Sequence, residues 1–247
     1  MVVTRARAQA SELVQRLGDL GADVVELPVI AIEDAADGGA ALVAAAGRVV
    51  HGDYDWVVVT SANGASRVVD ALGGRPLPTS TRWAAVGTST AKALQVRGVP
   101  PDLVPTEAVS EALVDAFPTA PAAGPAPRRG AVLVVRAERV RDVVVPGLVA
   151  KGWRVDEAVA YRTVAGAVSP ADVGRARAAD AVAFTSSSTV ERTVDILGTQ
   201  DVPRVIVSIG PVTSGAVRAA GLEVTAEATV HTLDGLVAAV AGALSRR

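Results

Sequence analysis

Two hydroxyl-rich turns in this chain follow apolar runs and could bind an anion. The first is Thr60-Ser61 in "VVVTSANGASRVV", and the second is Thr185, Ser186 and Ser187 in "AVAFTSSSTVERTV". A turn after a parallel strand lies at the carboxyl edge of the sheet, where open α/β folds bind ligands. It also opens a helix, whose first N–H groups lack partners and favour negative charge. Helix capping by the same hydroxyls explains either turn alone equally well.

A second pair of turns combines a glycine with a downstream threonine. "VGTST" ends at Thr90, and "IGPVT" contains Gly210 and ends at Thr213. Small residues at such turns let a ligand approach the backbone, so we expect N–H and hydroxyl donors there. Neither turn has the spacing of a dinucleotide-binding or Walker motif, so nucleotide binding is not predicted.

Arg136 and Tyr161 are further candidates for chemistry. Arg136 ends the apolar run "VLVVR", and a second arginine, Arg141, follows in the next predicted helix. A guanidinium fork suits carboxylate recognition, and a solvated basic face is the alternative. Tyr161 stands in "EAVAYRTVAG", between a strand and a glycine-bearing connection. Its phenol could act as a donor or weak acid, or it could pack at a hinge.

The two histidines do not predict a metal site. His51 and His231 have no metal-like spacing and are predicted to be surface residues.

The elements that must position these residues alternate along the chain. Helices are predicted at 7–21 and 138–152, among others, because apolar residues recur there at helical spacing. Continuous apolar strands that alternate with helices favour parallel sheets covered on both faces. Strands are predicted at 1–4, 23–27, 55–60, 83–87, 131–136, 154–159, 180–185, 204–209 and 222–225.

An internal repeat relates the candidate residues to one another. Its equivalent pairs are Arg5 and Arg136, Thr60 and Thr185, and Thr90 and Thr213. Two copies of one βαβαβα unit imply two similar lobes.

Composition narrows the class of protein. Half of the 247 residues are hydrophobic and the formal net charge is −2, which argues against a nucleic-acid-binding face. The chain has no cysteine, so disulfides and thiolate chemistry are excluded. The uncharged runs at 38–47 and 235–244 are too short to span a bilayer, and "MVVTRARAQA" lacks the apolar stretch of a secretory signal. We therefore expect a cytoplasmic protein.

With these residues in view, the chain resembles uroporphyrinogen-III synthase nearly end to end. The resemblance is carried by "VVVTSANGASRVV", "AVGTSTAKALQVRG", "VLVVRAERVRDVVVPGLVAKGWRVDEAVAYRTV", "AFTSSSTVERTV" and "SIGPVTSGAVRAAG", in this order. The chain departs from the usual family pattern at Ala137, Val212 and Ser214.

The resemblance implies an α/β fold of two flavodoxin-like parallel-sheet lobes, joined by a two-stranded linker, with a cleft between them. One lobe would comprise 1–33 and 167–247 and the other 36–160. The connecting strands would lie near 27–36 and 158–167. The Pro-rich stretch at 118–130, which by composition alone looks like an interdomain linker, would then not be one.

The resemblance also implies a lyase that cyclises hydroxymethylbilane with inversion of ring D, through a spiro intermediate, to uroporphyrinogen III. No cofactor, metal, nucleic-acid or membrane partner is implied, and we expect a monomer. Tyr161 matches the candidate acid. The matching substrate-binding residues are Thr60, Ser61, Thr90, Arg136, Thr185, Ser186, Ser187, Gly210 and Thr213.

Two other functions compete with this one. A bilobed sensor for an anionic ligand would usually need an export signal or effector domain. A nucleotide-dependent transferase would need a glycine fingerprint, and none is present.

Overall fold

The chain folds into two compact units, each built from one sheet and its helices. The structure, a computed structural model, describes residues 1–121, 130–139 and 143–245. Unit 1 comprises Met1–Ile32 and Val164–Arg247, and unit 2 comprises Glu33–Thr163. Most of the Pro-rich stretch at 118–130 lies outside the described residues, as does Arg141.

The described elements alternate as the apolar pattern predicts. The strands are β1 (Val2–Val3), β2 (Val25–Glu26), β3 (Ile30–Asp34), β4 (Trp56–Val59), β5 (Arg82–Ala85), β6 (Ala131–Ala137), β7 (Arg154–Ala165), β8 (Ala181–Phe184), β9 (Val205–Ser208) and β10 (Ala226–Glu227). The helices are α1 (Arg7–Asp19), α2 (Ala40–Val50), α3 (Ala62–Leu72), α4 (Thr88–Val96), α5 (Ser110–Ala116), α6 (Val144–Ala150), α7 (Pro170–Arg177), α8 (Ser187–Leu197), α9 (Pro211–Ala219) and α10 (Leu233–Leu244). The predicted α/β class is confirmed.

The sheet of unit 1 has the strand order β10-β9-β8-β1-β2, and all four neighbouring pairs are parallel. The chain adds β2 on one side of β1, and it adds β8, β9 and β10 in turn on the other. The direction of winding therefore reverses between β1 and β8. In open α/β sheets this switch point is where a crevice forms outside the carboxyl ends of the strands.

The second sheet has the order β3-β7-β6-β4-β5, and the pairs β7-β6, β6-β4 and β4-β5 are parallel. Here the chain adds β5 on one side of β4 and later adds β6 and β7 on the other. The switch point of this sheet lies between β4 and β6. The chain passes from one unit to the other within β3 and again within β7.

The core of unit 1 has two layers, because alternate residues of each strand face opposite sides of the sheet. Val182, Phe184 and Ile206 pack in one cluster with residues of α7, α8 and α9. Ala183 and Val207 pack in the other cluster with residues of α1 and α10. Helices thus cover both faces, which is why these strands are continuously apolar.

Unit 2 contains an aromatic cluster on one face of its sheet. The Trp56 and Phe117 rings lie 4.9 Å apart between centroids, and Phe117 meets Trp153 edge-on at 5.7 Å. The Trp153 indole N–H donates to the carbonyl of Pro118 at 2.8 Å. Each aromatic ring is nearly fully buried, and the single polar atom of Trp153 has a partner.

One predicted strand is misplaced. The sequence predicts an extended segment at 222–225, but the edge strand is β10, at Ala226–Glu227. Leu222 and Val224 are drawn into the core cluster of α8 and α9 as loop residues. Pairing with β9 starts where Thr225 N–H donates to Ile206 O at 2.8 Å.

Gly166 marks a close approach of two backbone segments in unit 1. Its N–H donates to Val29 O at 2.9 Å, and a Cβ added at this position would overlap the carbonyl oxygen of Pro28. We expect Gly166→Ala to lower the free energy of unfolding by about 1–3 kcal/mol, since neither backbone segment can move aside cheaply. Urea unfolding followed by far-UV circular dichroism measures this change.

Gly174→Ala is the matched control, because Gly174 lies inside α7 and a Cβ added there would have no neighbouring atom within 4 Å. It should stabilise the chain by up to about 1 kcal/mol through helix propensity. Equal effects of the two substitutions would contradict the close approach at Gly166.

Candidate functional site

The turn after β4 in unit 2 joins Ser61 to Tyr161. Ser61 is the N-cap of α3, and its Oγ accepts the Gly64 N–H at 3.1 Å. The Tyr161 hydroxyl donates to the same Oγ at 3.1 Å. The Tyr161 side chain is 7% exposed. The cap and the contact with Tyr161 therefore coexist on one hydroxyl, and the phenol oxygen lies at the β4/β6 switch point.

A β-bulge places Tyr161 at this turn. β7 pairs with β6 in regular register up to Arg136 opposite Val159, and then Ala137 pairs with Tyr161. The Glu138 N–H donates to Tyr161 O at 2.8 Å, which closes the irregular pair. Such bulges re-aim side chains at sheet edges and next to active sites. Sequence reasoning singled out Tyr161 but could not foresee the bulge, because it depends on the register of β6 against β7.

Thr60 is held by the neighbouring strand. Its N–H and its Oγ1 both donate to Val135 O, each at 3.2 Å. The hydroxyl proton is therefore occupied by the backbone of β6. What remains at the oxygen is acceptor capacity, so in this arrangement Thr60 does not offer a proton to an anion.

Arg136 lies at the same switch point, and its charge is already compensated. Its guanidinium forms an ion pair with Glu157 on β7. Its Nη1 also donates to Ala137 O at 3.2 Å and to Glu138 O at 3.3 Å. An incoming carboxylate would have to compete with these partners for the same donors.

The Thr90 side chain is buried. It is 3% exposed and lies in the first turn of α4, which begins after the extended residue Gly87. A Cβ added to Gly87 would lie 2.6 Å from the Cβ of Ala108. The loop that contains Ala108 therefore occupies the space that a side chain at Gly87 would need, which is why this turn requires glycine.

In unit 1 the two turns contact each other. Ser187 Oγ donates to Val212 O at 3.4 Å, which links the turn after β8 to the turn after β9. Ser186 is the N-cap of α8 by position, but its hydroxyl accepts no backbone N–H. Instead it shares hydrogen bonds with Ser188 Oγ at 3.1 Å and Thr189 Oγ1 at 3.5 Å. Thr185, immediately before them, is half-buried.

A histidine that the sequence analysis assigned only to the surface lies against the turn after β9. His231 is exposed, yet a Cβ added to Gly210 would lie 2.9 Å from its Cδ2. The imidazole therefore lies against the start of α9. The sequence signal that could have identified His231 is its position after β10, at the same carboxyl edge of the sheet as the turn after β9. Thr213 is 4% exposed, so its side chain is buried like that of Thr90.

A buried pair of serine hydroxyls connects α9 to the end of β9. Ser208 and Ser214 are both fully buried, and their Oγ atoms lie 2.6 Å apart. Ser214 in turn donates to the carboxylate of Glu227 on β10. The network connects the end of β9, the first turns of α9 and the edge strand. Sequence reasoning missed it because its members are neighbours only in the folded sheet.

A second polar cluster lies at the opposite edge of the unit 2 sheet, around a cavity of about 260 Å³. Tyr54 donates to Asp156 at 2.8 Å, and Arg48 pairs with the same carboxylate at 2.8 Å. Burial, together with the hydrogen bond to Asp156, raises the pKa of the Tyr54 phenol well above its usual value. The cluster is satisfied internally and lies at the ends of the strands away from the switch point.

Within the described ranges, no group of three or more histidine, cysteine, aspartate or glutamate side chains is arranged to hold a metal ion. None of the helices in that part of the chain is long and apolar enough to cross a membrane.

Comparison with known proteins finds one family that matches most of the chain. The family model described as "Uroporphyrinogen-III synthase HemD" matches residues 11–238. A uroporphyrinogen-III synthase of Synechococcus elongatus is 31% identical over 264 aligned positions, which cover 97% of this chain and 93% of that protein.

Solved structures show the same fold. A mutant uroporphyrinogen III synthase of Thermus thermophilus superposes with a TM-score of 0.68 at 20% identity, covering 100% of this chain and 98% of its own. The Helicobacter pylori uroporphyrinogen-III synthetase gives a TM-score of 0.61 at 15% identity, covering 100% of this chain and 98% of its own.

The two serine N-caps should differ in their contribution to stability. Ser61→Ala removes the acceptor of the Gly64 N–H and should lower the free energy of unfolding by about 1 kcal/mol. Ser186→Ala, its equivalent in the repeat, removes no bond to a backbone N–H and should cost less than about 0.5 kcal/mol. Urea unfolding of both variants tests this difference, and a larger loss for Ser186→Ala would refute it.

Proposed function

Because the chain belongs to the uroporphyrinogen-III synthase family, whose members act in tetrapyrrole biosynthesis, we propose that Tyr161 and the rim turns carry out the closure of hydroxymethylbilane to uroporphyrinogen III. The observation that supports this most directly is the Tyr161–Ser61 hydrogen bond at the β4/β6 switch point. It places a proton donor at the edge of the sheet where open α/β folds bind their ligands.

The proposed reaction begins with loss of the hydroxyl group on ring A as water, which requires a proton on the leaving oxygen. The resulting azafulvene is attacked by ring D through its substituted carbon, and a spiro intermediate forms. Cleavage and reclosure then leave ring D inverted, and a proton is lost. We assign the first proton to the phenol of Tyr161.

Ser61 is suited to support this step. In the free protein its Oγ accepts from both the Gly64 N–H and the Tyr161 O–H, so its two acceptor positions are used and its own proton is available. When the substrate hydroxyl takes the place of Ser61 as acceptor, the phenol loses its proton to the leaving group. The Ser61 hydroxyl then turns to donate to the phenolate oxygen and stabilises the developing charge.

The rim turns would hold the carboxylates of the substrate. α3, α8 and α9 each begin at the carboxyl edge of a parallel sheet, and the free N–H groups of their first turns favour anions. The Thr90 and Thr213 hydroxyls are buried, so we assign the contacts of these turns to backbone N–H groups. Holding a flexible chain in one geometry is what favours the inverted closure over the uninverted one.

We further propose that the protein acts as a cytoplasmic monomer on this small molecule, without a cofactor. The family resemblance and the composition of the chain support these proposals. Gel filtration at micromolar concentration tests the oligomeric state independently of activity.

The function is tested by supplying hydroxymethylbilane and separating the uroporphyrin isomers after oxidation. We expect isomer III to dominate with the protein present, while isomer I, the product of unassisted closure, dominates without it. Isomer I at the level of the protein-free control would refute the proposed function and leave a binding protein as the alternative.

Tyr161→Phe should slow formation of isomer III about 10²-fold, the lower end of the range for a lost general acid. Tyr54→Phe is the matched control, because Tyr54 is also buried in unit 2 and its hydroxyl is also hydrogen-bonded, at 2.8 Å to Asp156. The rate of the control should stay within about twofold of the wild type. If the two variants retain equal rates, Tyr161 has no part in the chemistry.

A further inference from the structure

Arg5 lies at the switch point of unit 1. It follows β1 by two residues, and in the parallel register Val3 is opposite Ala183. The two segments stay adjacent beyond this pair, since Thr4 Oγ1 donates to Ala183 O at 3.3 Å. Arg5 therefore stands beside the hydroxyl turn that opens with Thr185, across the reversal between β1 and β8. This is the position at which an open sheet of this winding binds its ligand.

Arg5 carries a charge that no described acid neutralises. Its side chain is half-buried, and no aspartate or glutamate of the described ranges lies within ion-pairing distance of its guanidinium. Glu12 is the acid that acts on it through space, but Glu12 is paired with Arg16 at 2.7 Å. Burial lowers the pKa of the Arg5 guanidinium below its ordinary value, which reflects the loss of water around a charge that stays protonated at neutral pH.

The equivalent arginine of the repeat, Arg136, differs from Arg5 in having a counterion. Arg136 also stands at a switch point, but it is bound to Glu157 and to two backbone carbonyls. A half-buried cation without a counterion is costly, because the water it loses is not replaced by a carboxylate. A ligand carboxylate at Arg5 would supply the partner that Glu157 supplies to Arg136.

We propose that Arg5 binds a carboxylate of the substrate in unit 1, as a bidentate contact beside the Thr185-Ser186 turn. This inference rests on the proposed function for the identity of the substrate, and it goes beyond the family assignment by naming the cation. The guanidinium fork matches a carboxylate in geometry, and the helix start at α8 adds N–H donors for the same group. The contact is made in both the ground state and the transition state, so it contributes to KM more than to kcat.

The kinetic test compares Arg5→Gln, Arg5→Lys and Arg204→Gln. Removing a charged hydrogen-bond partner should raise KM for hydroxymethylbilane about tenfold in Arg5→Gln, with kcat changed by less than about twofold. Arg5→Lys keeps the charge but loses the fork, so an intermediate KM is expected. Arg204, exposed at the start of β9, lies at the opposite edge of the same sheet and should leave KM unchanged.

A binding measurement separates this proposal from the proposed function. The octacarboxylate uroporphyrin III is titrated into each protein by calorimetry, and we expect Arg5→Gln to weaken its affinity by a similar factor of about ten. If the wild type forms isomer III but Arg5→Gln keeps both KM and this affinity, the Arg5 assignment is overturned and the function stands. If the wild type forms only isomer I, the function fails, and the titration alone decides whether Arg5 binds a polycarboxylate.

Folding of the variants is checked by circular dichroism. Should Arg5→Gln not fold, Arg5→Lys decides the question: a KM raised about threefold or more supports the bidentate contact, and an unchanged KM overturns it.

Discussion

Parallel pairing of short, fully buried strands is the constraint on which the rest of this structure depends. β4, β8 and β9 are buried along their whole length, and they have sheet neighbours on both sides and helices packed on their faces. A strand in this position tolerates almost no polar side chain until its last residue. Hydroxyl and charged groups therefore appear where the strands end, and within each sheet the parallel direction brings these ends to the same edge.

The same constraint explains why the rim residues have structural roles alongside the ligand binding proposed for their turns. Ser61 caps a helix and accepts from Tyr161, and Ser187 links one turn to the next. The glycines of the two glycine-threonine turns each lie against one residue of their own unit, Ala108 at Gly87 and His231 at Gly210. Capping and anion binding compete as explanations of the sequence, but one turn can do both. A cap uses the side-chain hydroxyl and leaves further backbone N–H groups of the helix start available.

Residues whose role depends on local sequence could be predicted, and those whose role depends on register could not. The strand predicted at 180–185 matches β8 within one residue at either end, since a buried parallel strand is apolar throughout. β3 was accessible only through the family resemblance, because only Glu26 and Pro28 interrupt the apolar stretch at 24–32 that contains both β2 and the start of β3. The ion pair of Arg136 with Glu157 spans 21 positions and depends on how β6 pairs with β7. The network of Ser208, Ser214 and Glu227 depends likewise on the pairing of β9 with β10.

The aromatic cluster on the unit 2 sheet has a consequence for spectroscopy. All three tryptophans, Trp56, Trp83 and Trp153, and both tyrosines belong to unit 2, whereas the aromatic content of unit 1 is Phe184 alone. Tryptophan emission and the tryptophan and tyrosine bands of the near-ultraviolet dichroism therefore report on unit 2 and are blind to unit 1. Far-ultraviolet dichroism detects the helices of both units. If the two signals change together during denaturation, the units unfold as one cooperative body. If they change separately, the two unfolding transitions are resolved without any introduced label.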